Sequence, residues 1–234
     1  MKAFLQTKQY IARDTLLCSF SLENSLAFRA GQYFFIEIPN PPFKDERGNR
    51  RHFSFVNSPS KSQTVEMATR IGDSAFKKSL AAMEIGRDVE INSVSGTFTL
   101  PKDLIQPLCF IAGGIGITPF MSMIKHLNEL EFPGNVVLLY SNKTKEGSAF
   151  LEELQLLAQE QSSFHLIPTM TEDPAWQGET RLITASLVQE LIPDYQDRSF
   201  FIAGTPGMVD SVNREVKSLL QDDSRITIEH FPGY

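Results

Sequence analysis

The sequence predicts a two-part fold: an antiparallel β-barrel over residues 1–102, followed by a parallel sheet covered by helices over residues 103–234. Three observations predict it. Up to about residue 100, short alternating or apolar runs are separated by turn signals, the pattern of a compact antiparallel barrel. Beyond that point, apolar strand-like runs alternate with helical segments, the pattern of βαβ units. Between the two textures lies LPKDLIQP, whose Pro101–Pro107 region serves as the boundary.

The barrel strands follow in order as TLLCSFSLE, QYFFIEIP, RHFSFVN, TVEMATRI and RDVEINSV. Gly31, Pro39, Pro41-Pro42, Gly48, Pro59 and Gly86 punctuate them. One helix interrupts them, SAFKKSLAAM, where Phe76, Leu80 and Met83 recur at helical spacing. In the second half the strands read as LCFIAGG, VVLLYS, SFHLIPTM and SFFIAGT. The helices between and after them read as PFMSMIKHLNEL, SAFLEELQLLAQE and GMVDSVNREVKSLL, and the chain closes on a short strand, RITIEH, and then FPGY.

Composition narrows the function classes. The 234 residues suffice for two small domains with separate cores, and 41% apolar content is that of a globular chain. A net charge of −6 argues against nucleic acid or an anionic membrane as partner. The start, MKAFLQTKQYIARDT, has no long apolar core, so no signal peptide is expected, and no apolar run approaches the roughly 20 residues of a membrane helix. Cys18 and Cys109 are too few for a four-cysteine iron–sulfur cluster within this chain, and both are expected as buried free thiols in a reducing cytoplasm. His126, His165 and His230 have no metal-like spacing with them, and no metal site is expected.

Four segments carry chemistry. In RHFSFVNSPS, a strand would put Arg51 and Phe53 on one face and His52 and Ser54 on the other, a set suited to a flat anionic ligand as well as to an ordinary half-buried strand. In RIGDSAFKKSL, Gly72 permits close approach and Ser74 is positioned to cap a helix whose N-terminus attracts an anion, which Arg51 would also grip with its guanidinium; a plain helix start fits the same residues. In CFIAGGIGITPFMSMIKHL, an apolar strand runs into Gly113-Gly114-Ile115-Gly116, then Thr118 as N-cap and Pro119 at the first helical position. Such a turn lets a backbone approach a pyrophosphate, or simply joins strand to helix tightly, and it lacks the spacing of the G-x-G-x-x-G fingerprint. FIAGTPGMVDSV repeats the geometry at Gly204, where plain structural capping fits the same residues; as a ligand site, two such turns at strand ends would line one cleft in an open parallel sheet.

Together these segments resemble the ferredoxin–NADP reductase superfamily. Arg51-His52-Phe53-Ser54 is similar to its Arg-x-Tyr-Ser flavin motif, and Gly113 to Pro119 to its Gly-Gly-x-Gly-Ile-Thr-Pro nicotinamide-dinucleotide segment. Ala203-Gly204-Thr205-Pro206-Gly207-Met208 resembles the Cys-Gly-x-x-x-Met turn, and Phe231 to Tyr234 an aromatic C-terminal end. The resemblance implies an FAD-binding β-barrel, then a Rossmann-like NAD(P)-binding domain, with the flavin at their junction. It implies that Arg51 pairs with the flavin pyrophosphate, with Gly72 and Ser74 completing the cradle, that Phe53 lies against the ring or ribityl chain, and that Ser54 bonds near flavin N5. His52 falls within the same motif. Gly113, Gly114, Gly116, Thr118 and Pro119 would hold the nicotinamide nucleotide, with Gly204 and Met208 at the space for its ring; Tyr234 would stack on the flavin, with Glu229 near the same pocket. This sequence departs from the pattern at Phe53, which replaces a Tyr, at Ala203, which replaces a Cys, and at VSGTFTL, which lacks a proline.

The implied activity is hydride transfer from NAD(P)H to bound FAD, then electron transfer to an acceptor such as ferredoxin, flavodoxin or an oxygenase partner. The alternatives are a flavin reductase that releases reduced flavin and a non-enzymatic electron-relay subunit. After VVLLY, Ser141 and Lys143 are placed to meet a ribose 2′-phosphate and no acid is adjacent, which favours NADPH over NADH. Lys44, Arg47, Arg50 and Arg51 form a basic cluster suited to steering an acidic carrier, or simply a solubilising loop.

Overall fold

Alternating burial builds the first half. In the computed structural model, which describes residues 1–231, Thr15–Leu22 (β2) buries Leu16, Cys18, Phe20 and Leu22 and turns the residues between them outward. That period of two is what a sheet with one packed face requires. With Lys2–Ala12 (β1), Tyr33–Glu37 (β3), Arg50–Ser54 (β4), Thr64–Arg70 (β5) and Asp88–Ser95 (β6) it forms a six-stranded antiparallel sheet in the order β4-β3-β6-β1-β2-β5. Past the end of β4, Val56 N–H donates to Glu66 O of β5 at 2.9 Å, joining the two edge strands and curling the sheet into a barrel. Phe20, Phe34, Ile36, Phe55, Val65, Met67, Phe76 and Leu80 fill it.

The helix Ala75–Ala82 (α1) begins at Ser74, whose side chain accepts Lys77 N–H at 3.2 Å, so the expected cap is present. Lys8 Nζ donates to Ala81 O and Met83 O at its other end, satisfying carbonyls that α1 leaves unpaired.

The second half contains a parallel sheet of Leu108–Gly113 (β7), Val136–Asn142 (β8), Phe164–Met170 (β9), Ser199–Gly204 (β10) and Ile226–His230 (β11), in the order β11-β10-β7-β8-β9. Central β7 buries every residue from Leu108 to Ala112, as a strand covered on both faces must. Leu151–Glu160 (α3), Ala185–Leu191 (α4) and Pro206–Leu219 (α5) accompany the sheet, with Val209, Val212 and Val216 of α5 packed into its core. The expected fold class, an antiparallel barrel followed by a Rossmann-like parallel sheet, is the one observed.

The chain divides into two compact units, and the helix Thr118–Glu129 (α2) groups with the barrel. Among the described residues, the first unit comprises Met1–Leu100 with Thr118–Glu131; the second comprises Pro101–Ile117 and residues 132–231. Phe120 of α2 meets the Phe98 ring edge-on at 5.5 Å, Ser122 Oγ donates to Asn57 O at 2.8 Å, and Lys125 pairs with Glu66 at 3.7 Å. Glu129 accepts from the hydroxyls of Ser58 and Ser60.

Two expectations change. The segment Lys2–Ala12, read only for a leader signal, is the longest strand; its outer half is largely exposed, so no clean alternation marks it. Thr118 is not an N-cap. A 3-10 turn over Gly114–Ile117 already starts the helical course, and Thr118 and Pro119 lie inside α2, both buried.

Candidate functional site

In the barrel, β4 and α1 bring the first set of residues together. Arg51 and Phe53 share a face of β4: the Arg51 guanidinium lies 5.5 Å from the Phe76 ring centroid, and the Phe53 ring 5.8 Å from the same ring. Phe76 stands in the first turn of α1, so Arg51 is held at that helix's N-terminal end. Its Nη1 donates to the carbonyls of Arg47, Gly48 and Arg50, while Nη2, although buried, makes no hydrogen bond. A buried guanidinium nitrogen without an acceptor is costly unless an anion joins it. Lys77 and Arg70 add to this positive corner: burial, then repulsion from Arg51 and Arg70, depresses the Lys77 pKa.

Ser54, at the end of β4, is buried opposite Tyr33. His52 points to the other face and, with Phe35, Arg47, Arg50 and Arg51, lines a cleft of about 510 Å³; burial lowers its pKa. Gly72 has ordinary backbone angles, and a Cβ there would meet nothing within 4 Å. The barrel itself therefore does not require glycine at that position, and only something outside the chain would. The basic cluster is also altered: Lys44, Arg47 and Arg50 are exposed, but the Arg51 side chain is folded in, 11% exposed.

The second set gathers where the parallel sheet reverses its winding. In the order β11-β10-β7-β8-β9, connections run outward in opposite directions from the β7–β10 pair, and ligands of such sheets bind beyond the carboxyl ends of the strands there. Both glycine turns leave those ends, Gly113 to Gly116 after β7 and Gly204 after β10. A Cβ on Gly116 would stand 2.6 Å from Ala203 O, so the turn can press against β10 only as glycine. The Met208 side chain lies across Gly113 and Gly204, its sulfur 3.0 Å from where a Cβ of either would be. Tyr140 Oη shares its one proton between Ala149 O at 3.0 Å and Gly114 O at 3.3 Å, tying the turn's second residue to the segment before α3.

Beside this point, Glu229 of β11 pairs in register with Ala203. Its Oε2 is buried without a hydrogen bond, and burial pushes the carboxyl up to about 7. Phe231 N–H donates to Gly204 O at 2.7 Å. Tyr234 lies outside the described residues.

The tips of β8 and β9 change one premise of the reading at Ser141 and Lys143, that no acid is adjacent. Lys143 Nζ stands 2.9 Å from Glu172 Oε1, and Lys145 N–H donates to Asp173 Oδ2 at 2.9 Å. Acidic groups are therefore adjacent after all; parallel pairing of β8 with β9 brings them there from residues distant in sequence. Ser141 is half-buried, and both amide atoms of buried Asn142 lack a partner. Both cysteines are free and buried, with burial raising each thiol to about 12.

Two family models cover most of the chain: an oxidoreductase FAD-binding domain over residues 2–100 and an oxidoreductase NAD-binding domain over residues 110–214. The chain belongs to the ferredoxin–NADP reductase-like superfamily. The reductase subunit of an aromatic O-demethylase from Amycolatopsis sp. is 30% identical over 235 residues, 94% of this chain and 66% of that protein. NADH-cytochrome b5 reductase 1 of Aspergillus terreus is 27% identical over 152 residues, 62% of this chain and 51% of that protein. This superfamily member thus spans between about half and two thirds of these relatives' length. Among solved structures, a ferredoxin NADP+ reductase from Neisseria gonorrhoeae with bound FAD and NADP shares its fold, with a TM-score of 0.80 at 20% identity, covering 98% of both chains.

Several residues at these sites escaped sequence reading. Asp45, Asn57, Glu129 and Glu172 sit in loops or at element ends without periodicity, and only the pairing of distant segments reveals their partners. A signal existed for Asp45 alone, as an acid set among Lys44, Arg47, Arg50 and Arg51.

Proposed function

We propose that this chain is an NAD(P)H-dependent flavoprotein reductase that holds FAD and passes electrons to a protein acceptor. The supporting observation is Arg51 at the N-terminal end of α1, whose buried Nη2 makes no hydrogen bond and faces the Asp45 carboxylate at 3.6 Å, a donor set suited to a pyrophosphate. When bound, FAD supplies the redox chemistry, accepting hydride from the nicotinamide and releasing electrons onward. Arg51, with Ser74 and the backbone from Gly72, grips the pyrophosphate; Phe53 packs beside the flavin, and Ser54 offers its hydroxyl to the ring. His52, on the opposite face of β4, shapes the neighbouring cleft rather than the cradle. Gly113, Gly114, Gly116, Thr118 and Pro119 position the dinucleotide, with Gly204 and Met208 bounding its nicotinamide end. Glu229 holds or yields a proton at Oε2 near neutral pH. Tyr234 is assigned the stacking role over the flavin.

The acceptor is a protein, as for a reductase subunit; an oxygenase component fits better than a ferredoxin or flavodoxin steered by a broad basic face, because Arg51 is withdrawn from that face. The Lys143–Glu172 pair neutralises the cation expected to meet a 2′-phosphate, which supports NADH over NADPH. Two free buried thiols fit a reducing cytoplasm. Among the described residues, no helix is long and apolar enough to cross a membrane.

An absorbance spectrum of purified protein, before and after anaerobic NADH or NADPH, tests this reading. A flavin spectrum that bleaches with NADH is expected. Retained flavin that neither nicotinamide bleaches would instead indicate an electron-relay subunit, and a protein that purifies colourless but reduces added FMN would indicate a free-flavin reductase.

A further inference from the structure

Asp45 occupies the corner that the proposed function gives to the flavin pyrophosphate. Its Oδ2 accepts the N–H of Ala75, the first residue of α1, at 3.0 Å. Its Oδ1 accepts Arg47 N–H at 3.0 Å and stands 3.6 Å from Arg51 Nη2, beyond hydrogen-bond reach. One carboxylate therefore sits between the helix N-terminus and the guanidinium, the two groups most suited to a phosphate. The charges acting on it are cationic, Arg51 on β4 and Arg47 on its own loop, and Arg51 in turn faces Lys77 of α1. The nearby acid Asp73 is turned to Lys78 at 3.4 Å. Ala75 N–H, then Arg47 and Arg51, hold the Asp45 carboxyl below its ordinary range, so it is an anion at neutral pH.

The carboxylate is delivered by the exposed loop between β3 and β4 rather than by either element. Phe43 anchors the loop through Ser79 of α1, and Gly48 N–H donates to Asp45 O at 3.1 Å with the glycine in the left-handed region at φ 71°. Swinging Asp45 out with this turn breaks its bond to Ala75 N–H and the bonds from Arg51 Nη1 to Arg47 O and Gly48 O, while the strand pairing of β4 with β3 does not depend on it. A phosphate and a carboxylate cannot both take the Ala75 N–H, and at that separation they repel.

We propose that Asp45 is a built-in substitute for the flavin pyrophosphate, which keeps the empty cradle formed and must swing out before FAD can enter. This rests on the pyrophosphate reading given above. Cofactor uptake is then a competition, and the apparent affinity for FAD is reduced by the fraction of molecules in which Asp45 is seated.

The test uses the flavin-stripped 234-residue chain, with FAD affinity read from the quenching of flavin fluorescence and stability of the stripped protein from its thermal midpoint. Asp45→Ala should tighten FAD binding about tenfold if the seated state is populated tenfold over the open one, while lowering the midpoint of the stripped protein by a few degrees. Asp45→Asn, which keeps an acceptor but drops the charge, should move both in the same directions and less far. Opposite signs in affinity and stability are the signature: a purely structural Asp45 would lower both, and one that bonds the flavin would lower affinity alone. Either of those results, or unchanged affinity in folded Asp45→Asn, overturns the inference. Failure of the wild-type chain to bind FAD would overturn the pyrophosphate reading itself.

Discussion

Glu229 is a carboxylate buried beside Ala203 with one oxygen unpartnered, and burial alone raises it from an ordinary 4.5 to about 7. The folded chain therefore holds this proton more tightly than the unfolded one. The resulting contribution to stability is fully present below about pH 4.5 and is lost as the pH rises through 7. Glu229→Gln should raise the denaturation midpoint at pH 8, by an equivalent of about 3 kcal/mol, and make little difference near pH 4.5. Urea melts of both proteins at the two pH values check this; a pH-independent difference would mean that the carboxyl is solvated. At this scale the sequence revealed residue types but not their states. Arg51 was singled out by resemblance as the expected phosphate ligand, whereas its three backbone acceptors and the Nη2 that makes no hydrogen bond depend on how the loop before β4 folds back.

Elements were legible where burial imposes a period. β2 alternates, β7 is apolar throughout, and α5 repeats valines at helical spacing, so each follows from its pattern. β1 did not, because its outer half lacks a packed face, and Thr118 did not, because a 3-10 turn tightened by glycines takes the place of a cap. The closure of the barrel was also hidden: Asn57 donates to Lys61 O and Thr64 O and accepts Glu66 N–H at 2.9 Å, all buried or partly so. Asn57→Ala strands these groups and should destabilise the barrel by about 2–4 kcal/mol, read from denaturant unfolding, with flavin retention falling as the β4–β5 seam opens. A loss below about 0.5 kcal/mol would mean that water replaces the amide. At the tips of β8 and β9, Glu172→Gln should free Lys143 and shift the ratio of kcat/KM for NADPH to that for NADH upward by about three- to tenfold. An unchanged ratio would remove Lys143 from the 2′ region.

At the scale of the whole molecule, the change of texture near residue 100 was enough to foresee two architectures, because an antiparallel barrel and a parallel sheet need different hydrophobic patterns. The grouping of α2 with the barrel could not be foreseen. Phe120, Ser122 and Lys125 choose their partners through Phe98, Asn57 and Glu66, and helical periodicity does not say which surface a face will meet. What unites the molecule functionally is the claim that the barrel grips a dinucleotide cofactor by its phosphates at Arg51. The most direct measurement of that claim is the dissociation constant for FAD of Arg51→Ala against wild type, by fluorescence titration at fixed ionic strength. Loss of a charge-assisted contact predicts weakening of about ten- to a hundredfold, with the variant still folded by circular dichroism. A folded Arg51→Ala protein that binds FAD as tightly as wild type would contradict it.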